Sequence, residues 1–300
     1  MNDQRFELTV QLNTERDSRG YHQRNTPDEK QRADVVNDIC QGLLLQARID
    51  RIVHGRESKD GPPATLVVFA FRFHGLDDKR RLRQASITIL FEDEKKRGAD
   101  ADPIVMGLWP DGDFILGRET PVDVEDTKGI EAGVHIRQSG VGLHAIGKWE
   151  RKQNLRKDAR ASLTGSKMLD MDIREHGPDN AVRLTIKENP SSTPGVVTDM
   201  AAAVLLRRKN DDDRFAASVK IRAKGNFAYN TVRGLRNLLG TTPPNDPVIF
   251  QPGLQYLRPL TRGKLAEPIC EEALNDVALD ELAGALPVTI LSTAPLAGRA

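Results

Sequence analysis

The feature that most constrains the fold is the stretch 64–94, in which two long runs of alternating residues flank a short charged connector. Apolar side chains share one parity in each run: Val67, Phe69, Phe71 and Phe73 in the first, and Ala85, Ile87, Ile89 and Phe91 in the second. A period of two, rich in β-branched and aromatic residues, is typical of strands that lie against a core. The stretch therefore predicts a β-hairpin, which needs a second layer because two strands alone are marginally stable in water.

Similar alternation predicts further short strands along the chain. These lie at 6–12, 103–109, 113–117, 130–137, 141–149, 161–173, 181–187, 200–208, 214–222, 247–251 and 288–291. Residues 201–206 are apolar on both parities, which suits a central strand. The polar loop 209–213 then predicts that 200–222 forms a second hairpin.

Three segments show the spacing of amphipathic helices instead. The first begins at Thr26, where Pro27 and Glu29 are typical of a helix N-terminus. Its apolar stripe contains Val36, Ile39, Cys40, Leu43 and Ala47. The same spacing predicts helices at 226–239, with Asn226 as its cap, and near 269–283.

The balance of these elements favours one fold class. About a dozen strands and about three helices, with no regular alternation of the two, predict a mainly β protein built as a two-layer antiparallel β-sandwich with peripheral α-helices. We expect a single domain over residues 1–300, in which the strand and helix of 1–60 pack on the core. A division near 118–129, where the chain is loop-like and acidic, stays open.

Composition and charge exclude several classes of protein. With 38% hydrophobic and 29% charged residues, the chain is globular rather than disordered. A net charge of +1 is too small to attract nucleic acid or acidic membranes to the molecule as a whole. A membrane-spanning helix needs about 18 consecutive apolar residues, and no window of the sequence approaches that number. The N-terminal sequence also has no secretory signal pattern. We therefore expect no membrane association.

The cysteines bear on the compartment. Cys40 and Cys270 are the two cysteines of the sequence, and two thiols do not make a disulfide framework for a chain of this size. We expect both to be buried free thiols in helices, because cysteine behaves as a small apolar side chain. The sequence therefore predicts an intracellular, cytoplasmic protein, and a nuclear location stays open.

The sharpest candidate for a metal site is the pair His135 and His144. If Ser139 and Gly140 form a two-residue hairpin turn, the two histidines face each other on adjacent strands. Opposed Cβ atoms lie about 4.5–5.5 Å apart, close enough for two imidazoles to share a metal ion. The pair falls on the solvent face, however, and the sequence offers no third ligand nearby. Two exposed histidines without a metal are therefore the alternative interpretation.

Two carboxylates and a tryptophan are weaker candidates. Asp170 and Asp172 share one parity of a predicted strand, and paired carboxylates perform acid–base chemistry when their surroundings separate their pKa values. Acidic residues on the exposed face of a strand are also commonplace, which is the simpler interpretation. Trp109 is expected at a strand end, in the core.

Residues 148–160 form a basic stretch with six basic and two acidic side chains. Its candidate contacts for a ligand or partner are Trp149, Arg151, Lys152, Arg156 and Lys157. Basic residues next to an aromatic ring suit single-stranded nucleic acid, through phosphate contact and base stacking. The stretch is short and the chain nearly neutral, so a solvated loop is the alternative, and nucleic acid is not the expected partner.

Motifs for common cofactors and nucleophiles are absent from the sequence. It contains no G-x-G-x-x-G fingerprint, no G-x-x-x-x-G-K-[ST], no H-E-x-x-H, no C-x-x-C and no G-x-S-x-G. We therefore predict no cofactor. Whether the chain is an enzyme stays undecided, and the missing motifs weigh against it.

Three segments carry a resemblance to a known group. FAFRFHGLDDKRRLRQASITILFEDE, GLHAIGKWERK and AAAVLLRRKNDDDRFAASVKIRAKG together look like a group of filamentous-fungal proteins that have no assigned activity. The resemblance covers roughly residues 64–250 and implies a β-rich intracellular fold and a fungal source. It implies no catalytic residues.

These observations favour a non-catalytic protein that binds a protein partner through a sheet face, a strand edge or the end loops. The alternative from another class is an enzyme, or a small-ligand or metal-binding protein, that uses the face of His135 and His144. The third interpretation is nucleic-acid binding through 148–160.

Overall fold

The computed structural model describes residues 6–8, 24–25, 31–40, 43–75, 81–116, 161–189, 195–196, 199–226, 245–284 and 290–292. The strands in this part of the chain are, in order, β1 (Phe6–Leu8), β2 (Asp34–Cys40), β3 (Leu43–Arg56), β4 (Pro63–Gly75), β5 (Arg81–Asp93), β6 (Ile104–Trp109), β7 (Gly112–Leu116), β8 (Ala161–Met168), β9 (Ala181–Lys187), β10 (Asp199–Arg207), β11 (Phe215–Asn226), β12 (Val248–Phe250), β13 (Tyr256–Leu257) and β14 (Ile290–Ser292). The α-helix α1 (Leu279–Gly284) lies between β13 and β14.

These strands form two antiparallel sheets. Sheet A has the order β1–β11–β5–β9–β8–β7–β14, and β12 also pairs with β11. Sheet B has the order β13–β3–β4–β10–β6, and β2 also pairs with β3. The prediction of a mainly β, two-layer antiparallel sandwich is confirmed, although the described part of the chain holds one α-helix rather than three.

The main core lies between the two sheets, where their inward parities meet. The predicted inward residues of β4 and β5 are all at most 2% exposed: Val67, Phe69, Phe71, Phe73, Ala85, Ile87, Ile89 and Phe91. Phe69 of sheet B and Phe91 of sheet A meet across the core with ring centroids 6.4 Å apart. Full burial of each large apolar side chain stabilises the fold by about 1.5–3 kcal/mol, so this interface is the main source of stability.

A second apolar cluster covers the outer face of sheet B. Leu66, Val68 and Leu205 point away from the main core and are buried beneath the segment 263–284. That segment contributes its own buried leucines, Leu265, Leu274 and Leu282. Sheet B is therefore apolar on both faces, which explains why β4 and β10 carry apolar residues at both parities.

Both predicted hairpins are right about the strands and wrong about their pairing. β4 pairs with β3 and β10 in sheet B, whereas β5 pairs with β9 and β11 in sheet A. The strands β10 and β11 likewise belong to opposite sheets. The connection between them crosses the end of the sandwich, where the buried Arg208 donates hydrogen bonds to the carbonyls of Asn210 and Asp211. Alternation shows which side of a strand faces the core, but it does not identify the neighbouring strand.

The helix predicted over 26–47 is wrong where the structure describes it, because residues 34–40 and 43–56 are the strands β2 and β3. In β3 the buried side chains alternate, with Leu45, Ala47 and Ile49 facing the core. A run of apolar residues such as this one satisfies both periods. Pairing with the long β4 decides the outcome, since it satisfies the backbone groups of both strands.

The other two predicted helices also need correction. Only 279–284 of the helix expected near 269–283 is α-helical, after a 3₁₀ turn at Leu274–Asp276. Asn226, the expected cap of a helix at 226–239, is the last residue of β11, and 227–239 lies outside the described residues. The prediction that both cysteines are buried in helices is also wrong, because Cys40 lies in the strand β2 and Cys270 is an exposed free thiol.

Of the remaining predicted strands that the structure describes, the one at 181–187 is found with its predicted ends and the others have different ends. The largest change is at 161–173, where β8 ends at Met168. The strands predicted at 130–137 and 141–149, and the division left open near 118–129, lie outside the described residues.

Candidate binding surface

The outer face of sheet A carries rows of polar side chains that the strand register aligns. Lys220 of β11 pairs with Thr88 of β5, which pairs with Arg183 of β9. Two further rows follow at every second residue: Arg222, Ser86, Thr185 and Thr164, and then Lys224, Gln84, Lys187 and Ser162. Side chains of paired residues lie on the same side of a sheet, so the three rows form one surface, here called the basic face.

The basic face has five cations, and all of them are exposed: Arg183, Lys187, Lys220, Arg222 and Lys224. Within the described part of the chain, its acidic residues lie at the margins: Asp113 on β7, Glu92 near the end of β5, and Glu7 of the edge strand β1, which pairs with Lys224. No described carboxylate lies within ion-pair distance of Lys187, Lys220 or Arg222. The face is therefore positively charged although the whole chain is nearly neutral.

Sheet geometry gives the size of the basic face. Neighbouring strands lie about 4.8 Å apart, and same-face residues recur about every 6.8 Å along a strand. Three rows across four strands cover roughly 200–400 Å². A standard protein–protein interface buries about 800 Å² on each partner, so the basic face has half that area or less. Like charges about 7–10 Å apart in water repel by about 0.4–0.6 kcal/mol per pair. An acidic ligand removes that repulsion, so the face favours anions.

Charged side chains at the end of the sandwich are engaged with one another instead. The buried carboxylate of Asp93 accepts a hydrogen bond from Arg97 Nη2 at 2.6 Å and another from the Arg97 backbone N–H, and these bonds lower the pKa of Asp93. Burial alone would raise the pKa of Asp213, but its hydrogen bond from Arg97 lowers it. Arg174 binds the buried Asp102 at 2.7 Å. These pairs hold the end loops together and are not free to act on a ligand.

A buried polar group lies in sheet B, near the start of the loop that joins β3 to β4. The Nδ1 atom of His54 lies 2.9 Å from Thr65 Oγ1, and Nε2 has no hydrogen-bond partner among the described residues. Burial, and secondly the positive charge of Arg208, lower the pKa of His54 to about 4. The imidazole is therefore neutral at pH 7, but at 4% exposure the residue presents no reactive group to a ligand in solvent.

The structure does not bring Asp170 and Asp172 together as a carboxylate pair. Both follow the end of β8 and lie in a turn. Asp170 is buried and its Oδ1 accepts a hydrogen bond from the backbone N–H of Asp172 at 3.0 Å, while Asn180 Oδ1 accepts one from the Asp170 backbone N–H at 2.9 Å. Asp170 therefore stabilises the turn, whereas the side chain of Asp172 is exposed.

Trp109 lies at the end of β6 and packs against the core, as predicted. Its ring is in edge-to-face contact with Phe114, with centroids 4.9 Å apart. This is a packing role, since aromatic pairs in this arrangement stabilise each other by about 0.5–1.5 kcal/mol beyond their burial.

The other residues singled out in the sequence lie outside the part of the chain that the structure describes: His135, His144, Trp149, Arg151, Lys152, Arg156 and Lys157. The metal pair and the basic stretch therefore stay predictions. Among the described residues, no group of three or more His, Cys, Asp or Glu side chains is placed to hold a metal ion.

Fold and surface together define the chain as a two-layer antiparallel β-sandwich with one apolar, covered outer sheet face and one polar, basic outer sheet face. Comparison with protein-family models, with curated proteins and with solved structures gives no match. None of the helices in the described ranges is long and apolar enough to cross a membrane.

Sequence reasoning misses the basic face. Alternation already directs Arg183 and Lys187 outward on one strand and Lys220 and Arg222 outward on another. The cations on the two strands are more than thirty positions apart in the sequence, and only the strand order shows that both strands flank β5. The available signal was a cation repeated on the polar parity of two separate strands.

Proposed function

We propose that this chain is a non-catalytic binding protein that uses the basic face of sheet A to bind an acidic surface of a protein partner. The observation that carries the proposal is the alignment of five exposed cations on β9 and β11, the two strands that flank β5. Long-range charge complementarity of this kind steers association and selects partners.

The packed core beneath the basic face holds its strands rigid, and a rigid surface favours recognition. The residues between its outward positions, such as Ile87, Val182 and Leu184, are fully buried in the main core. Because that packing fixes the backbone of β5 and β9, the cations project from a rigid sheet, and binding requires little ordering of the backbone. The small area predicts a transient complex whose affinity falls with salt.

The chemistry of the face fits a protein surface better than other anions. Single-stranded nucleic acid needs aromatic rings for stacking, and the rows of the basic face carry Ser, Thr, Gln, Lys and Arg. A flat sheet does not enter a duplex groove as a helix or ribbon does. The exposed large apolar side chains of the described residues, Met171, Leu257 and Leu260, lie outside these strands, so the face offers no group for membrane insertion.

Neutralising the face tests the proposal. The variant Lys187→Gln/Lys220→Gln/Arg222→Gln removes three cations from the basic face. The matched control Lys59→Gln/Lys95→Gln/Lys209→Gln removes three exposed cations from the end loops, with the same change in net charge. Binding of labelled poly-glutamate, a dT oligonucleotide and phosphatidylserine vesicles is measured by fluorescence anisotropy or co-sedimentation at two salt concentrations.

The expected result is specific to the face and to poly-glutamate. At about 0.2–1 kcal/mol for each exposed ionic contact, the face variant loses roughly 3- to 150-fold in affinity for poly-glutamate, and the control variant stays within about twofold of the wild type. Equal losses in both variants contradict the assignment of the face. Tighter binding of the oligonucleotide or the vesicles contradicts the choice of a protein partner.

We infer further that the chain works in the cytoplasm and belongs with the filamentous-fungal proteins that it resembles. The low cysteine content and the exposed free thiol of Cys270 support a reducing compartment. Fractionation of source cells with an antibody against the chain tests the location, and recovery in a secreted or membrane fraction contradicts it.

A further inference from the structure

A concave surface lies on the segment that covers sheet B. Residues 264–282 surround a groove of about 380 Å³, at the small end of the range of ligand sites. Half-buried Ile269 and Val277 and the buried Leu282 provide apolar side chains within it. Leu282 also belongs to the apolar cluster on sheet B, so the groove is anchored to the sheet.

The rim of the groove is acidic. Exposed Glu267, Asp276 and Glu281 line it, together with the single lysine of 263–284, Lys264. Lys264 Nζ lies 3.3 Å from Glu267 and 3.7 Å from Glu281, and the hydrogen bond with Glu267 raises the pKa of Lys264. Three carboxylates therefore line the groove beside one cation, and the groove keeps a net negative charge.

The backbone holds this segment in place independently of the groove. The Arg56 backbone N–H donates to the carbonyl of Glu271 at 2.7 Å, and the Asn275 backbone N–H donates to the carbonyl of Glu57 at 3.1 Å. Gly55 permits the close approach, because a Cβ there would lie 2.0 Å from the Glu271 oxygen. The groove is therefore formed before any ligand arrives.

We infer that this groove docks a short basic peptide segment of a protein partner, with an apolar side chain inserted between lysines and arginines. The apolar floor selects the anchor, and the acidic rim selects the flanking charges, which is the charge complementarity expected of a specific interface. The site is separate from the basic face, and its ligand carries the opposite charge.

Three labelled peptides test both parts of the recognition with the full chain. Lys-Arg-Lys-Trp-Leu-Lys-Arg-Lys carries anchor and charges, the Gly-Gly analogue lacks the anchor, and Glu-Asp-Glu-Trp-Leu-Glu-Asp-Glu reverses the charges. We expect the first peptide to bind at low salt and the third not to bind. The second should bind roughly 10- to 150-fold more weakly than the first, because burial of one large apolar side chain contributes about 1.5–3 kcal/mol.

Variants locate the site. Asp276→Asn/Glu281→Gln should weaken binding of the first peptide roughly 2- to 30-fold, at about 0.2–1 kcal/mol per contact, whereas the control Asp60→Asn/Glu175→Gln removes two exposed carboxylates elsewhere and should change it by less than about twofold. Ala278→Phe fills the groove from an exposed position and should abolish the preference for the anchored peptide. Thermal melting confirms that each variant is folded.

Cys270 gives a direct reporter, because its exposed thiol lines the groove. Bound peptide should slow its alkylation by iodoacetamide at least about fivefold, measured by the mass of the modified Cys270 fragment. Equal binding of the basic and acidic peptides, unchanged affinity in Asp276→Asn/Glu281→Gln, or unchanged alkylation at a saturating peptide concentration each overturns the inference.

Discussion

The unfolding free energy should depend on pH through His54, because this imidazole is buried and lacks a partner for Nε2 among the described residues. Its pKa falls from an ordinary value of 6.5 to about 4 in the folded protein, mainly through burial and also through the charge of Arg208. In the unfolded chain the group titrates near its ordinary value. Between the two values the unfolded state binds more protons, so acid favours unfolding.

The size of the effect follows from that interval. Above the ordinary pKa both states are neutral at His54, and the group leaves the stability unchanged. As the pH falls from about 6.5 to about 4, the free energy of unfolding decreases by about 1.4 kcal/mol per pH unit, which gives roughly 3 kcal/mol in all and about 2.5 kcal/mol by pH 4.5. Below the folded pKa the loss is complete.

The assay compares the wild type with His54→Asn by urea denaturation from pH 7.5 to 4.5. The amide of asparagine can take the place of Nδ1 opposite Thr65 Oγ1 but does not titrate. Carboxylates titrate in both proteins and cancel in the difference. We expect the wild type to lose about 2.5 kcal/mol more than the variant over this range. Losses that agree within about 0.5 kcal/mol would refute the assignment of His54 as a buried, neutral imidazole.

Three further predictions address the covering segment and the end loops. Leu274→Ala removes a fully buried leucine from the cluster on sheet B and should cost about 2–5 kcal/mol in urea denaturation, and a loss below about 1 kcal/mol would show that the segment is not packed there. Gly55→Ala places a Cβ against the Glu271 carbonyl and should destabilise by at least about 1–3 kcal/mol, so wild-type stability would contradict the contact. Asp93→Asn removes the charge that Arg97 binds and should cost about 1.5–3 kcal/mol at pH 7. Because the folded pKa of Asp93 is lowered, this loss should be present above pH 3.8 and shrink as the pH falls through the folded value, and a difference that does not change with pH would contradict it.

How much of the fold the sequence predicts depends on whether a feature is local. The inward residues of β4 and β5 were identifiable because parity is a property of a single strand, and Phe69 and Ile87 are both fully buried. The pairing of those strands is not local. A strand that is apolar on both parities can be flanked by any two neighbours, and in this chain β4 lies between β3 and β10 rather than beside β5.

The failed helix at 26–47 has a different cause. Its apolar residues, from Val36 to Ala47, fit a helical stripe and also contain a strand-like alternation that continues to Ile49 and beyond. Intrinsic preference is a weak guide when an adjacent strand offers a complete set of backbone hydrogen bonds. β4 offers that set along most of β3, so the tertiary environment decides in favour of the strand.

The candidate site was predictable only in its parts. Alternation directs Lys220 and Lys187 to the polar side of their strands, but each is one cation on one strand, a common surface feature. The proposed binding surface arises because β11 and β9 flank β5 and their cations fall in successive rows. That information resides in the strand order, which depends on contacts distant in sequence.

The outer faces of the two sheets differ in polarity and in cover, and this difference connects the fold to the proposed function. The outer residues of sheet B, such as Leu66 and Leu205, would be an exposed apolar patch without the segment 263–284, and such patches promote association or aggregation. A partner for that face would have to displace Leu274 and its neighbours, at about 2–5 kcal/mol for each leucine. The outer rows of sheet A need no cover because their side chains are polar and their cations are hydrated. A ligand can therefore bind the basic face without unfolding any described element, which is why we propose the outer face of sheet A, rather than that of sheet B, as the face for recognition.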